Sequence, residues 1–229
     1  MEAIVLAGGR GTRLQATVKD RPKPLALVGG SPFLSYIFDY LVEQGITHII
    51  LSVGYKKEQI ISFYENEYKG VPISYAIEKE PLQTGGAIKN SFRLLNQEGP
   101  VFVLNGDTYC PFNFKKALEV FQSTKADVVL PVKFLEDTSR YGTVKFDIKN
   151  RINSFIEKRK GEGYINTGCY LLSHQVFSAF TEDKFSFEKD FLEKKCTEYN
   201  FRAIEVDDFF IDIGIPEDYF RACSIFMNK

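Results

Sequence analysis

Directly after the short apolar run Ile4-Val5-Leu6, the chain places Gly8, Gly9 and Gly11 beside two arginines, Arg10 and Arg13, and follows them with Lys23 between Pro22 and Pro24. Glycines have no Cβ, so successive backbone N–H groups can close on one anion. Arginine grips phosphate with parallel hydrogen bonds and lysine acts as a point charge. The prolines on either side of Lys23 fix the backbone that presents its ammonium. Together these residue types suit the holding of a polyphosphate. The spacing is not a dinucleotide fingerprint, since Leu14 stands where a third glycine would fall, and no Gly-Lys-Ser/Thr follows to make a P-loop. On the glycines alone, an ordinary glycine-rich turn is an equal reading.

Two carboxylates extend the set. Asp107 ends the apolar run Val101-Phe102-Val103-Leu104-Asn105-Gly106, and Asp212 lies within Phe209-Phe210-Ile211-Asp212-Ile213-Gly214-Ile215-Pro216. An aspartate in such apolar company is expensive to bury without a partner. Two hard oxygen ligands converging on phosphates are what Mg²⁺ requires, because it keeps waters and uses few protein carboxylates. Taken singly, Asp107 also suits a helix cap and Asp212 a turn. His48 and His174 read as structural.

These residues need elements that bring them to one edge. Strands are expected at Ala3–Leu6, His48–Val53, Ile73–Ile77 and Val101–Leu104, alternating with helices at Pro32–Gln44 (Ser31 as N-cap, Gly45 as stop), Lys57–Tyr68 and Gly86–Leu95. Such alternation predicts βαβ units, and right-handed crossovers then leave the loops at the strands' carboxyl ends for ligands. Beyond Asp107 the pattern predicts a helix at Phe114–Ser123 and strands at Asp127–Val132, Thr143–Phe146, Ile152–Ile156 and Tyr164–Leu172. Helices are expected at Gln175–Phe180 and Ser186–Glu198, a strand at Phe201–Val206, and a last helix from Pro216 to about Phe226. The fold class expected is α/β: a Rossmann-like, mostly parallel mixed sheet with helices on both faces, in a single domain without repeats or linkers.

Composition narrows the partners. With 29 basic and 30 acidic residues in 229, no excess positive charge remains for a nucleic acid backbone. The cysteines Cys110, Cys169, Cys196 and Cys223 show no metal-ligand spacing and read as reduced thiols of a cytoplasmic protein. No stretch has the length of an uncharged membrane span, and the first residues lack the basic segment of a signal peptide. A soluble protein is expected, and a homo-oligomer stays open.

In order and spacing, Gly8 to Leu14 (GGxGTRL), Pro22 to Leu25 (PKPL), Gly106-Asp107 and Asp212 to Pro216 (DIG-P) resemble the nucleotidyltransferase family that makes nucleotide sugars, over essentially the whole chain. Glu78 to Ala87, Arg140 to Val144 and Phe209 to Tyr219 are similar to its short guanylyltransferase branch acting on D-glycero-α-D-manno-heptose 1-phosphate, which lacks the C-terminal domain of some relatives.

The resemblance implies transfer of a nucleotidyl group, GMP from GTP, to a sugar 1-phosphate with Mg²⁺ as cofactor. Residues 1–110 would hold the nucleotide and 111–229 the sugar phosphate. It assigns nucleotide binding to Leu6, Ala7, Gly8, Gly9, Gly11, Thr12, Arg13, Lys23, Gln83, Gly85, Gly86 and Asp107, with Arg13, Lys23 and Asp107 in the chemistry. Tyr141, Gly142, Glu157, Lys158, Asn166 and Thr167 would bind the sugar phosphate, and Asp107 with Asp212 the metal. Three positions depart from the family pattern: Gln83 stands where glycine is frequent, Arg159 where proline is usual, and Thr167 where a smaller residue is common.

Overall fold

A computed structural model describes residues 1–157, 160–177, 180–207 and 209–227, with only the backbone of Glu157. The chain opens with β1 (Glu2–Leu6). After the glycine loop, one tight helical turn at Lys23–Leu25 leads to a small hairpin, β2 (Leu27–Val28) and β3 (Ser31–Pro32). Then follow α1 (Phe33–Glu43), β4 (His48–Val53), α2 (Lys57–Tyr64), β5 (Glu67–Tyr68), β6 (Val71–Ile77), α3 (Gln83–Ser91) and β7 (Val101–Asn105). The second half contains β8 (Thr108–Tyr109), α4 (Phe114–Thr124), β9 (Val128–Leu135), β10 (Gly142–Phe146), β11 (Ile152–Glu157), β12 (Gly163–Asn166) and β13 (Cys169–Leu172). A wide helical turn at Phe187–Leu192 runs into α5 (Glu193–Lys195), and β14 (Phe201–Glu205), β15 (Ile211–Asp212) and α6 (Pro216–Phe226) close the chain.

The main sheet runs β11-β10-β12-β9-β13-β7-β1-β4-β6-β5, with β14 parallel to β9. Its β7-β1-β4-β6 centre is parallel, and β1, β4 and β7 are buried along most of their length, as a sheet covered on both faces requires. Alternation along β1 sends Ala3 and Val5 to one core face and Ile4 to the other. The first face is packed by α1, α2, α4 and α6 through Phe33, Ile37, Ile60, Phe114 and Ala222. The second is packed by α3 and the 187–195 segment through Ile88, Phe187, Phe191 and Leu192. Register levels the strand ends: Leu6 faces both Ser52 and Asn105, and Ser52 faces Ala76. The loops after all four strands therefore leave from one edge.

The expected fold class stands, with local corrections. Ser31 does not cap α1 but pairs with Val28 in the hairpin, and the helix starts behind Pro32 without a side-chain cap. The second helix stops at Tyr64, because Glu65 adopts a left-handed φ of 51° and the chain turns back into β5. α3 starts at Gln83, before the expected Gly86, and gives way after Ser91 to a tight turn. The expected strand 164–172 is broken at Thr167-Gly168, where Gly168 has φ +74°; β12 then pairs with β10 and β13 with β7. Gln175–Phe177 forms turns rather than the start of a helix, and residues 178–179 lie outside the described set.

Candidate active site

Close backbone approach builds the edge. Gly106 donates its N–H to the Leu6 carbonyl at 2.8 Å, and a Cβ there would lie 2.7 Å from that oxygen. Tyr55 N–H reaches the Gly8 carbonyl at 3.2 Å, and a Cβ on Gly8 would lie 2.3 Å from the Glu78 Oε1. The ends of β1, β4, β6 and β7 thus converge on two glycines and one carboxylate. Glu78 accepts hydrogen bonds from Ser52 Oγ (3.2 Å) and from the Leu82 N–H (3.0 Å), tying the β6–α3 loop to that edge.

A cavity of about 390 Å³ opens above this edge. Leu6, Ala7, Gly8, Gly9, Arg10 and Gly11 form one wall; Glu78, Pro81, Gln83, Thr84 and Ala87 form another; Lys23, Asn105 and Asp107 close the end. Apolar lining from Leu6, Ala7, Pro81 and Ala87 together with the cations Arg10 and Lys23 suits a base joined to a polyphosphate. Of the expected nucleotide set, Thr12 and Arg13 lie exposed on the turn and do not line the cavity, whereas Arg10 does. Gly85 and Gly86 do not line it either. Both donate their N–H to the Phe185 carbonyl (2.9 and 3.2 Å), and a Cβ on Gly85 would meet the Phe185 ring at 2.2 Å. Their lack of a side chain serves packing of α3 against the 183–187 segment.

At the closed end, Lys23 pairs with Asp107, and a two-stranded ladder of β8 and β15 brings Asp212 alongside. Thr108 faces Asp212, and the Ile213 N–H binds the Asp107 carbonyl at 3.0 Å. Burial pushes the Asp107 carboxyl up, but Lys23 and the Thr108 hydroxyl outweigh it and hold the group below its ordinary range. Asp212 goes the other way, to about 6, because burial and then the charge of Asp107 disfavour its ionisation. The Gly214 N–H (2.6 Å) and Arg140 Nη2 (3.5 Å) only partly offset this.

The residues expected at the sugar phosphate gather at the neighbouring edge. β10 and β11 place Gly142 opposite Glu157, and β10 and β12 place Thr143 opposite Ile165, next to Asn166. Tyr141 stacks under the Arg140 guanidinium (5.3 Å) and feels Asp212; burial first, and that charge second, push its phenol up to about 12. The Asn166 side chain is engaged within the fold, donating to Tyr170 OH (2.8 Å) and accepting from the Gly168 N–H (2.9 Å). Thr167 is buried with its hydroxyl on the Pro131 carbonyl (2.8 Å), so it positions the bend rather than facing a cleft. Lys158, Arg159 and the Glu157 side chain lie outside the described residues.

Glu78, Thr84, Asn105 and Arg140 belong to the site or its support although residue typing had not selected them. Glu78 follows β6 directly, as Asp107 follows β7 within two residues; position at a strand's carboxyl end was the available signal. Arg140 had none, because its partners, Asp212 and Asp218, lie more than 70 residues away.

The nucleotidyl transferase family pattern matches residues 2–228. The chain is 45% identical over 223 residues to a D-glycero-alpha-D-manno-heptose 1-phosphate guanylyltransferase of Campylobacter jejuni, covering 96% of this chain and 98% of that one. It is 46% identical to the protein of the same name from Aneurinibacillus thermoaerophilus, covering 97% and 96%. Among solved structures, HddC of Yersinia pseudotuberculosis, complexed with GMP-PN, superposes with a TM-score of 0.84 at 41% identity, covering 98% of this chain and 99% of that one.

Proposed function

Because the chain belongs to the nucleotidyl transferase family, we propose that it transfers GMP from GTP to D-glycero-α-D-manno-heptose 1-phosphate, giving the nucleotide sugar and pyrophosphate. The observation that carries this reading is the Lys23–Asp107 pair closing the end of a glycine-walled cavity, in a chain alike over nearly its full length to enzymes of that name.

In this reading the base lies between the Leu6–Gly8 backbone and Gln83, and residues 1–110 hold the nucleotide. Gly9, Gly11 and Arg10 face the terminal phosphates, with Thr12 and Arg13 at the outer rim of the same turn. The Lys23 ammonium stands where charge builds on the α-phosphate. An oxygen of the sugar 1-phosphate attacks the α-phosphorus. A new P–O bond forms, the bond to the α,β-bridging oxygen breaks, and pyrophosphate leaves with that electron pair. No general base is required, since a phosphate oxygen is already a nucleophile, and positioning supplies most of the rate. Residues 111–229, through Tyr141, Gly142, Glu157 and Lys158 with the bend at Asn166-Thr167, orient the sugar phosphate.

Asp107 and Asp212 fit a hard divalent cation such as Mg²⁺: two carboxylates lie together at the end of the cavity, and burial first, the charge of Asp107 second, make Asp212 resist ionisation. When bound, such an ion supplies positive charge to the phosphate oxygens. Cys110, Cys169, Cys196 and Cys223, which show no CxxC or metal-ligand spacing, support a reducing, cytoplasmic setting. Among the described residues no helix is long and apolar enough to cross a membrane.

The test is pyrophosphate release from GTP, UTP and dTTP, each with heptose 1-phosphate and with glucose 1-phosphate. GTP with the heptose should be preferred by at least tenfold; a faster uridylyl or thymidylyl transfer to the hexose overturns the assignment.

A further inference from the structure

Arg140 sits in the turn between β9 and β10, next to residues expected at the sugar phosphate, yet its guanidinium reaches the carboxylates at the far end of the chain. Nη1 donates to the Asp218 Oδ2 in the first turn of α6, and Nη2 stands 3.5 Å from the Asp212 Oδ2. The second approach is a charge contact and no more: Nε and Nη2 are buried and, among the described residues, have no hydrogen-bond partner. An arginine free to move would close its fork on Asp212, because parallel bonds to a carboxylate outweigh one distant charge and leave no buried donor orphaned. Both ends of the tether are held instead. The Thr138 N–H (2.9 Å) and hydroxyl (2.8 Å) pin the turn to the Gly161 carbonyl, and the Tyr141 N–H closes it on the Thr138 carbonyl (3.0 Å). Asp218 also pairs with Arg221 at 3.2 Å, and Tyr219 OH ties α6 down to the Leu27 carbonyl at 2.8 Å. Under the guanidinium lies the Tyr141 ring, itself edge-on to Phe210 at 5.5 Å, which fixes the plane of the fork.

The two oxygens of Asp212 have different surroundings. Oδ1 accepts the Gly214 N–H at 2.6 Å, which leaves Oδ2 as the oxygen nearest Arg140. A ligand for a hard cation must keep such an oxygen open. A guanidinium hydrogen-bonded to it would fill its lone pairs and repel the ion, whereas no cation nearby would leave the side chain's direction unset. We propose that Arg140 is a positioning residue for the transfer, held off Asp212 by its bond to Asp218 so that it steadies the Oδ2 oxygen and leaves it available to the metal. Asp218 supplies the restraint. This role rests on the transfer reading for its effect on turnover, and on Asp107 and Asp212 as the metal ligands.

The two partners of the tether should move metal affinity in opposite directions. Mn²⁺ is titrated without nucleotide at pH 8 into the full chain and into Arg140→Met, Asp218→Ala and the double variant, with free ion read by electron paramagnetic resonance and folding checked by thermal melts. Removing the guanidinium takes a positive charge from beside Asp212, so Arg140→Met should bind Mn²⁺ at least threefold more tightly. Removing the restraint lets the fork close on Asp212, so Asp218→Ala should bind it at least threefold more weakly. In the double variant the alanine has nothing to release, and affinity should match that of Arg140→Met within twofold. In both single variants kcat should fall at least tenfold, with the KM for GTP within threefold of the parent. Weaker or unchanged Mn²⁺ binding in Arg140→Met overturns the proposal. An equal effect of Asp218→Ala with and without Arg140 also overturns it, by reducing Asp218 to one more negative charge. Arg140→Gln, which can still hydrogen-bond Asp218, carries the same expectations if the methionine variant does not fold. Because the titrations need no turnover, the expected Mn²⁺ shifts in a protein that transfers no nucleotide would sink the transfer reading and leave the tether standing.

Discussion

Asp212 on β15 faces Thr108, the residue next to Asp107, yet the two carboxyls are driven in opposite directions: Lys23 pairs with Asp107 and holds it low, while burial and the charge of Asp107 raise Asp212 to about 6. Arg140, at 3.5 Å and shared with Asp218, compensates Asp212 only in part. This imbalance is what a bound divalent ion would remove, and it has consequences for stability.

In the presence of a chelator, Asp212→Asn should stabilise the protein at pH 8 by roughly 1–3 kcal/mol, from a rise of about two pH units. The sign follows from the raised folded value. Stability from the protonated Asp212 is present below 3.8 and lost as pH rises through 6, a loss that asparagine does not suffer. Urea titrations at pH 4 and pH 8 read the effect. Turnover should nevertheless fall by 10² or more, and a variant less stable than the parent at pH 8 contradicts the picture of an undercompensated carboxylate.

Lys23→Met removes the counter-charge of Asp107 and the cation at the cavity's end. The expected loss is about 10²–10³ in kcat, the size seen when one preorganised charge-stabilising group is deleted, with a smaller change in GTP affinity. Single-turnover rates distinguish this from a binding defect; a variant that keeps its rate removes the lysine from the chemistry.

Gln83 begins α3 at φ +63°, a conformation that glycine adopts without strain. Gln83→Gly should therefore raise thermal stability by about 1 kcal/mol while weakening nucleotide binding, because the side chain lines the cavity. Gly85→Ala should do the reverse: its Cβ would lie 2.2 Å from the Phe185 ring, costing about 1–3 kcal/mol. Melting curves of the two variants moving in the same direction would refute this division of roles.

At the opposite end of β1, the buried Glu2 carboxylate accepts from the Asn96 and Gln97 N–H groups and contacts His48 Nδ1 at 2.6 Å. Burial raises Glu2, but these bonds together keep it below its ordinary value. Its contribution is present above pH 4.5 and lost as pH falls through the depressed folded value. Glu2→Gln should cost about 1–3 kcal/mol at pH 7, with the gap closing in acid and the KM for GTP unchanged. A gap independent of pH would show that the charge is irrelevant.

Much of the fold could be read before the structure. The parallel centre announced itself in the alternation of short apolar strands with helical patterns, because parallel neighbours need a crossover between them. Where the reading slipped, the cause was a tertiary contact or a backbone sign that composition hides. Glu65 turns left-handed and ends α2; the Gly168 bend splits one apolar run between two neighbours; Ser31 is taken up by a hairpin before it can cap a helix.

The sequence by itself brought forward a glycine loop, its cations and two carboxylates as a candidate polyphosphate site. Gly8 to Arg13 follow a strand directly, Lys23 is fixed by its prolines, Asp107 ends an apolar run and Asp212 lies within one; all of these are local rules acting over a few residues. Only the tertiary structure decided how the work is divided. It gave Gly85 and Gly86 to the packing of Phe185, put Arg10 rather than Arg13 on the cavity wall, set Arg140 between Asp212 and Asp218, and brought the Lys56 ammonium to the Lys19 carbonyl behind the loop. Each outcome depends on which group from a distant segment arrives within a few ångströms, and burial and charge balance are settled by those arrivals.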